Sequence, residues 1–160
     1  MLTFADSEVR HYTDDRPYLR RLEREAERGM YRLTTDRGLT TPEARDRIRP
    51  KLGHDRRKLR RSSRHYALCL EPGAAEAGYY ARFDVTRIDH FRLLSDGVGR
   101  LVETFSTFST WREAAEWIDR HDIEATIDRL RTIERSDSRC LEYPRIKVHD
   151  DATIASIEFS

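Results

Sequence analysis

The sequence predicts an α+β fold, and three observations lead there. Residues 16–33 and 110–133 repeat apolar side chains every three or four positions, the period of a helix with one buried face. Residues 66–70 and 79–85 alternate instead, as strands do. Cap and turn residues bound most of these segments. The expected architecture is an N-terminal helical arm, a three- or four-stranded antiparallel sheet, and two C-terminal helices packed on one face. Residues 1–65 would form the arm with its basic segment and 66–160 a compact α+β domain, unless the 160 residues make one domain.

The first helix is expected over 16–33, with Leu19, Leu22, Ala26, Met30 and Leu33 on one stripe and Pro17 in the first turn. Asp36-Arg37-Gly38 ends it. Thr41-Pro42-Glu43 opens a second helix with a cap, a first-turn proline and an acid at its positive end. Ala44, Ile48 and Leu52 give its apolar face, and Pro50 should kink or divide it. From Gly53 to Arg64 only Leu59 is apolar, so this stretch reads as an exposed basic helix or a loop.

Tyr66, Leu68 and Leu70 alternate up to Glu71-Pro72-Gly73, and a small-residue linker leads to the run from Tyr79 to Val85. Together they resemble a hairpin. Residues 87–95 fit a strand turning at Asp96-Gly97 into another over Arg100–Phe108; the alternative is a helix opened at Thr86 or Asp89. Thr110-Trp111-Arg112-Glu113 is a capping box, and Trp111, Ala114, Ala115 and Ile118 follow at helical spacing as expected core. A last helix starts near Asp122, with Ile123, Ile127, Leu130 and Ile133 on one face. Residues 143–148 and 153–159 read as short terminal strands.

Charge is distributed unevenly. Residues 45–65 carry ten Arg or Lys against Asp46 and Asp55, a balance of +8. Residues 1–44 balance to −1 and residues 66–160 to −6, which sums to the net +1 of the chain. Such a segment attracts polyanions, of which phosphate backbones are the commonest in a cell. A helix there is expected to spread Arg49, Arg56, Arg60 and Arg64 over several faces. Arginine outnumbers lysine 27 to 3 throughout, so it marks composition more than a site.

Other chemistry finds little support. The six histidines show no ligand spacing, which argues against zinc. Asp84, Asp89 and Glu103 could converge on a cation across a sheet, but acids balancing surface arginines explain them with less. Gly97-Val98-Gly99 lacks the rest of a phosphate loop, and no serine sits in a nucleophile elbow. Cys69 and Cys140 read as reduced, non-catalytic thiols. No signal peptide or membrane-length apolar run is apparent. The expectation is a soluble, cytoplasmic protein without enzymatic activity, metal or cofactor.

Two functions fit. The first is a small nucleic-acid-associated accessory protein that grips phosphates through Arg45, Arg49, Lys51, Arg56, Arg57, Lys58, Arg60, Arg61 and Arg64, with Tyr80 and Arg82 as an exposed stacking pair. The second is a protein-interaction module, an inhibitor or adaptor of the kind phages and mobile elements encode, docking the same residues on an acidic protein surface. In either case residues 16–33 could mediate a homodimer.

Overall fold

The computed structural model describes residues 2–5, 8–11, 17–61, 82, 84, 86 and 88–159. The chain divides into two compact units, one of Met1–Thr13, Phe83–Tyr143 and Lys147–Ser160, the other of Asp14–Arg82 and Pro144–Ile146.

The first unit is built on an antiparallel sheet. Strands β1 (Leu2–Ala5), β2 (Glu8–His11), β3 (His90–Leu94) and β4 (Ile154–Glu158) lie in the order β2-β1-β3-β4. The side chains described in it belong to a two-stranded ribbon, β3 against β4, in which His90 faces Glu158 and Leu94 faces Ile154. β1 adds by backbone pairing, Leu2 opposite Arg92 and Phe4 opposite His90. Three helices follow β3: α3 (Asp96–Glu103), α4 (Trp111–Arg120) and α5 (Ile123–Ser136). Their apolar faces close one core of Val98, Leu101, Phe105, Phe108, Ala114 and Leu130, with Leu94 and Ile154 packed against it from the ribbon. Each large side chain buried there contributes about 1.5–3 kcal/mol.

Capping sets the helix starts. The Glu113 N–H donates to Thr110 Oγ1 (3.1 Å), as the capping box requires. The Glu113 carboxylate reaches one residue further back than expected and accepts from the Ser109 N–H (2.7 Å). Asp122 caps α5 by accepting from the Ala125 N–H (2.6 Å). Ala114, Ala115 and Ile118 are buried as the spacing predicts, whereas Trp111 is half-buried. Trp117 stacks on His121 with ring centroids 3.6 Å apart, and the Arg129 guanidinium lies 4.5 Å from the Trp117 ring centre. That cation–π contact gives Arg129 a partner where its buried Nε has no hydrogen bond among the described residues.

The expected architecture needs correction. The chain does not open with a helical arm leading into a later sheet, because Leu2–Ala5 and Glu8–His11 are themselves strands. Five helices are described, three of them in the sheet unit where two were expected. The strand expected over Arg100–Phe108 is replaced by α3 and the turn after it. Asp96-Gly97 was read as a hairpin, but Val98, Leu101, Val102 and Phe105 carry helical spacing, and Asp96 stands in the favourable first turn. Gly97 serves a different purpose: a Cβ there would collide with the Asp151 carbonyl. Ser95 fixes that approach, donating its hydroxyl to the Asp151 carbonyl (2.9 Å) and accepting from the Thr153 N–H (3.0 Å). Residues 143–148 form no strand, whereas Ile154–Glu158 does. The hairpin expected over 66–85 lies outside the described residues except for Arg82 and Asp84, which belong to no strand.

The second unit contains a helical hairpin, α1 (Pro17–Thr35) and α2 (Thr41–Arg61). No helix among the described residues is long and apolar enough to cross a membrane.

Candidate functional site

The hairpin holds the basic segment, and its seam shows why the charges point outward. Ala26 and Met30 of α1 and Ala44 of α2 are buried, and Ile48 of α2 packs beside Gly29 of α1. Thr34 is buried with them and donates its hydroxyl to the Met30 carbonyl (3.1 Å). Gly38, at φ +65°, ends α1 in the left-handed region, and the Leu39 N–H reaches back to the Leu33 carbonyl (3.1 Å), satisfying one of the last helical carbonyls.

The cap of α2 lies one residue earlier than expected. Thr40, not Thr41, is the capping residue. Its N–H and hydroxyl both donate to the Glu43 carboxylate, at 2.8 and 2.7 Å. These bonds hold the Glu43 carboxyl below its ordinary pKa. The helix then runs as one element to Arg61 with Pro50 inside it, so the expected division does not occur. The choice between basic helix and loop is settled as helix as far as Arg61.

Helical register also corrects the expectation of scattered charges. Arg45, Arg49, Arg56 and Arg60 are four, seven and four residues apart, near-whole turns, and fall on one stripe. Arg47, Lys51, His54 and Lys58 form another by the same spacing. Between them lies the apolar line of Ala44, Ile48 and Leu52, so the two stripes flank the seam. Arg45, Arg47, Arg49, Lys51, Arg57 and Lys58 are exposed. Lys51 is bound to Asp55 (2.8 Å) and to Glu25 of α1 (3.4 Å). The Asp55 hydrogen bond chiefly raises the Lys51 pKa. The other five make no ion pair among the described residues. Arg56, Arg60 and Arg61 lie in α2, but their side chains fall outside the described ones. Arg64 and Tyr80 lie outside the described residues, so the proposed pairing of Tyr80 with Arg82 does too; Arg82 itself is exposed and in no helix or strand.

The sequence reading missed a third stripe. Arg21, Arg24, Arg28 and Arg32 recur at three, four and four residues along α1, all exposed, on the side away from the seam. Tyr31 stands beside them, 44% exposed. Arg21 is bound to Glu25 (3.0 Å), while Arg24, Arg28 and Arg32 have no ion pair among the described residues. Their spacing was the available signal. A sum over residues 1–44 concealed it, because Glu23, Glu25 and Glu27 sit on the same helix and cancel the count. Across residues 17–61, fifteen Arg or Lys stand against seven Asp or Glu, a balance of +8.

The sheet unit holds ionisable groups of another kind. Glu134, with no exposed side-chain surface, accepts from Arg131 (2.6 Å), His149 Nδ1 (2.9 Å) and Arg100 (3.4 Å). Asp150 accepts from Lys147 (2.6 Å) and Arg100 (2.7 Å). Burial opposes the Asp150 carboxylate, but the Lys147 hydrogen bond and the Arg100 charge outweigh it and hold its pKa low. Asp84 folds onto its own turn, accepting from the Thr86 N–H (3.1 Å) and hydroxyl (2.7 Å). Among the described residues no group of three or more His, Cys, Asp or Glu could hold a metal ion. Cys140 is buried and in no disulfide, and Cys69 lies outside the described residues. Set against protein-family models, curated proteins and solved structures, the chain matches none.

Proposed function

We propose that the protein is a nucleic-acid-associated accessory protein whose helical hairpin grips the phosphate backbone. The observation behind this reading is that exposed arginines on both helices, Arg24, Arg28 and Arg32 on α1 and Arg45, Arg47, Arg49 and Arg57 on α2, lack acidic partners among the described residues. Arginines held unpaired at four-residue spacing repel one another, at about 0.2–0.5 kcal/mol per pair. A polyanion relieves that repulsion and gains bidentate contacts. The stripes flank and oppose the seam without forming one shaped cleft. That distribution suits many phosphate contacts and weak base selectivity.

The test is binding to single- and double-stranded DNA and RNA across a salt series. Affinity should fall steeply with salt and depend little on sequence. Reversing Arg45, Arg49, Arg57 and Lys58 to Glu should weaken binding by about a hundredfold or more at low salt, with helicity retained. No binding to any of these at low salt would refute the reading.

One observation favours the interaction-module alternative. Tyr31 is exposed among the α1 arginines, and tyrosine with arginine is the composition of protein hot spots. An acidic protein partner would lose far more affinity on Tyr31→Ala than a phosphate backbone would.

A further inference from the structure

The β3–β4 ribbon has one face on the core and one without a cover among the described residues. Leu94 and Ile154 point to the core. Alternation places Phe91, Leu93, Ala155, Ile157 and Phe159 on the opposite face. Leu93 is 46%, Ile157 41% and Phe159 37% exposed, and Phe159 stacks on Phe91 at 5.6 Å. Among the described strands β4 is also a sheet edge, whereas helix α4 runs beside the other edge strand, β2.

The hydrogen-bond register says what fits that edge. The Ser95 N–H donates to the Thr153 carbonyl (3.0 Å) and the Phe159 N–H to the Asp89 carbonyl (3.3 Å). Residues 153, 155, 157 and 159 therefore turn their backbone groups toward β3. Ile154, Ser156 and Glu158 turn theirs outward, as antiparallel alternation requires. Edges of this kind are usually protected by Lys, Pro or a bulge. Ile-Ala-Ser-Ile-Glu carries neither Lys nor Pro, and its pairing with β3 is unbroken.

We propose that β4 pairs antiparallel with β4 of a second copy about a two-fold axis at Ser156, joining the two sheets into one. Ser156 then exchanges both backbone bonds with its mate, and Ile154 does so with Glu158 on either side, about six bonds in all at two per pair. Ala155 falls opposite Ile157 of the second copy, which makes the two apolar faces continuous. The pairing also sets no like charges opposite one another. Its single ionic residue, Glu158, stands about 14 Å along the strand from its mate, at roughly 3.4 Å per residue. That separation exceeds the screening length of about 8 Å. A single strand pair is small beside the ~1,200–2,000 Å² of standard interfaces, so association should depend on concentration. This inference is independent of the polyanion reading.

The experiment is light scattering over a hundredfold concentration range, with amide exchange on the same samples. The expected mass rises toward twice the 18.9 kDa of one chain. The Ile154, Ser156 and Glu158 amides, free in the monomer, should become protected as it does. Ser156→Pro removes an N–H that the monomer does not use, and should give a monomer with unchanged tryptophan fluorescence. Ile157→Lys, on the exposed face, should weaken the dimer without Pro's backbone demand, and decides the matter should Ser156→Pro fail to fold. A constant monomer mass overturns the proposal, whatever strand from another protein might occupy the edge. So does a dimer whose three amides still exchange freely, or one that survives Ser156→Pro.

Discussion

Arg131 and Arg28 are both arginines on amphipathic helices, yet they do different things. Arg131 spans one turn of α5 to a fully buried carboxylate, Glu134, and donates also to the Asp150 carbonyl (2.9 Å). Arg28 stands exposed on α1 with arginines one turn before and after it. The same contrast separates the two units. In the sheet unit Arg100, Arg131, Lys147 and His149 converge on Glu134 and Asp150. In the hairpin most cations find no acid among the described residues. Charge that is paired and buried fixes the position of the chain; charge that is exposed and self-repelling is free to meet a ligand.

The strongest way to break this comparison is to remove its central group. Glu134→Ala leaves Arg100, Arg131 and His149 around a void, and should destabilise the sheet unit by about 3–5 kcal/mol in denaturant unfolding. Arg28→Ala should change stability by no more than about 0.5 kcal/mol, as surface substitutions do. Similar losses from both variants would mean that the exposed stripe is structural after all.

A smaller effect tests the packing that positions the Asp150 side of the network. Gly97→Ala forces a Cβ onto the Asp151 carbonyl. It should cost about 1–3 kcal/mol, the range of overpacked cores. A neutral outcome, measured by thermal unfolding, would show that the 150–153 segment is not held by this contact.

The smallest effect concerns acid. The folded Glu43 carboxyl titrates below its unfolded value, because Thr40 donates to its charged form. Its contribution to α2 is therefore complete above the ordinary carboxylate pKa, about 4.3, and is lost as pH falls through the lowered value. Glu43→Gln keeps the shape of the cap and should remove this part of the acid dependence of helicity. An unchanged acid profile would place the dependence on other carboxylates, such as Asp150.

Local signals in the sequence were good guides to the helices, because caps and periodicity are written in neighbouring residues. Thr110 with Glu113, Asp122, and Gly38 each mark an end that the structure shows. Signals that depend on distant partners misled. Asp96-Gly97 reads as a turn until Asp151 is known to press on Gly97. The sequence reading singled out neither Arg131 nor Glu134, since nothing nearby announces that α5 buries Thr126, Leu130 and Glu134. Of the candidate site, the basic window was legible as composition. Its ordering into stripes follows from a helical phase that the expectation of scattered faces misjudged, and the stripe on α1 from a phase that a sum of charges hides.

The tryptophans have a consequence for the laboratory. The chain contains two, Trp111 and Trp117, and both lie in α4 of the sheet unit. The hairpin has none, and among the described side chains its exposed aromatic is Tyr31. Indole emission therefore watches one unit only, with the stack of Trp117 on His121 as its most sensitive element. Far-ultraviolet dichroism draws heavily on the long helices α1 and α2. The molecule thus carries two optical channels, and a ligand that orders the hairpin should move the dichroism while leaving the indole signal still.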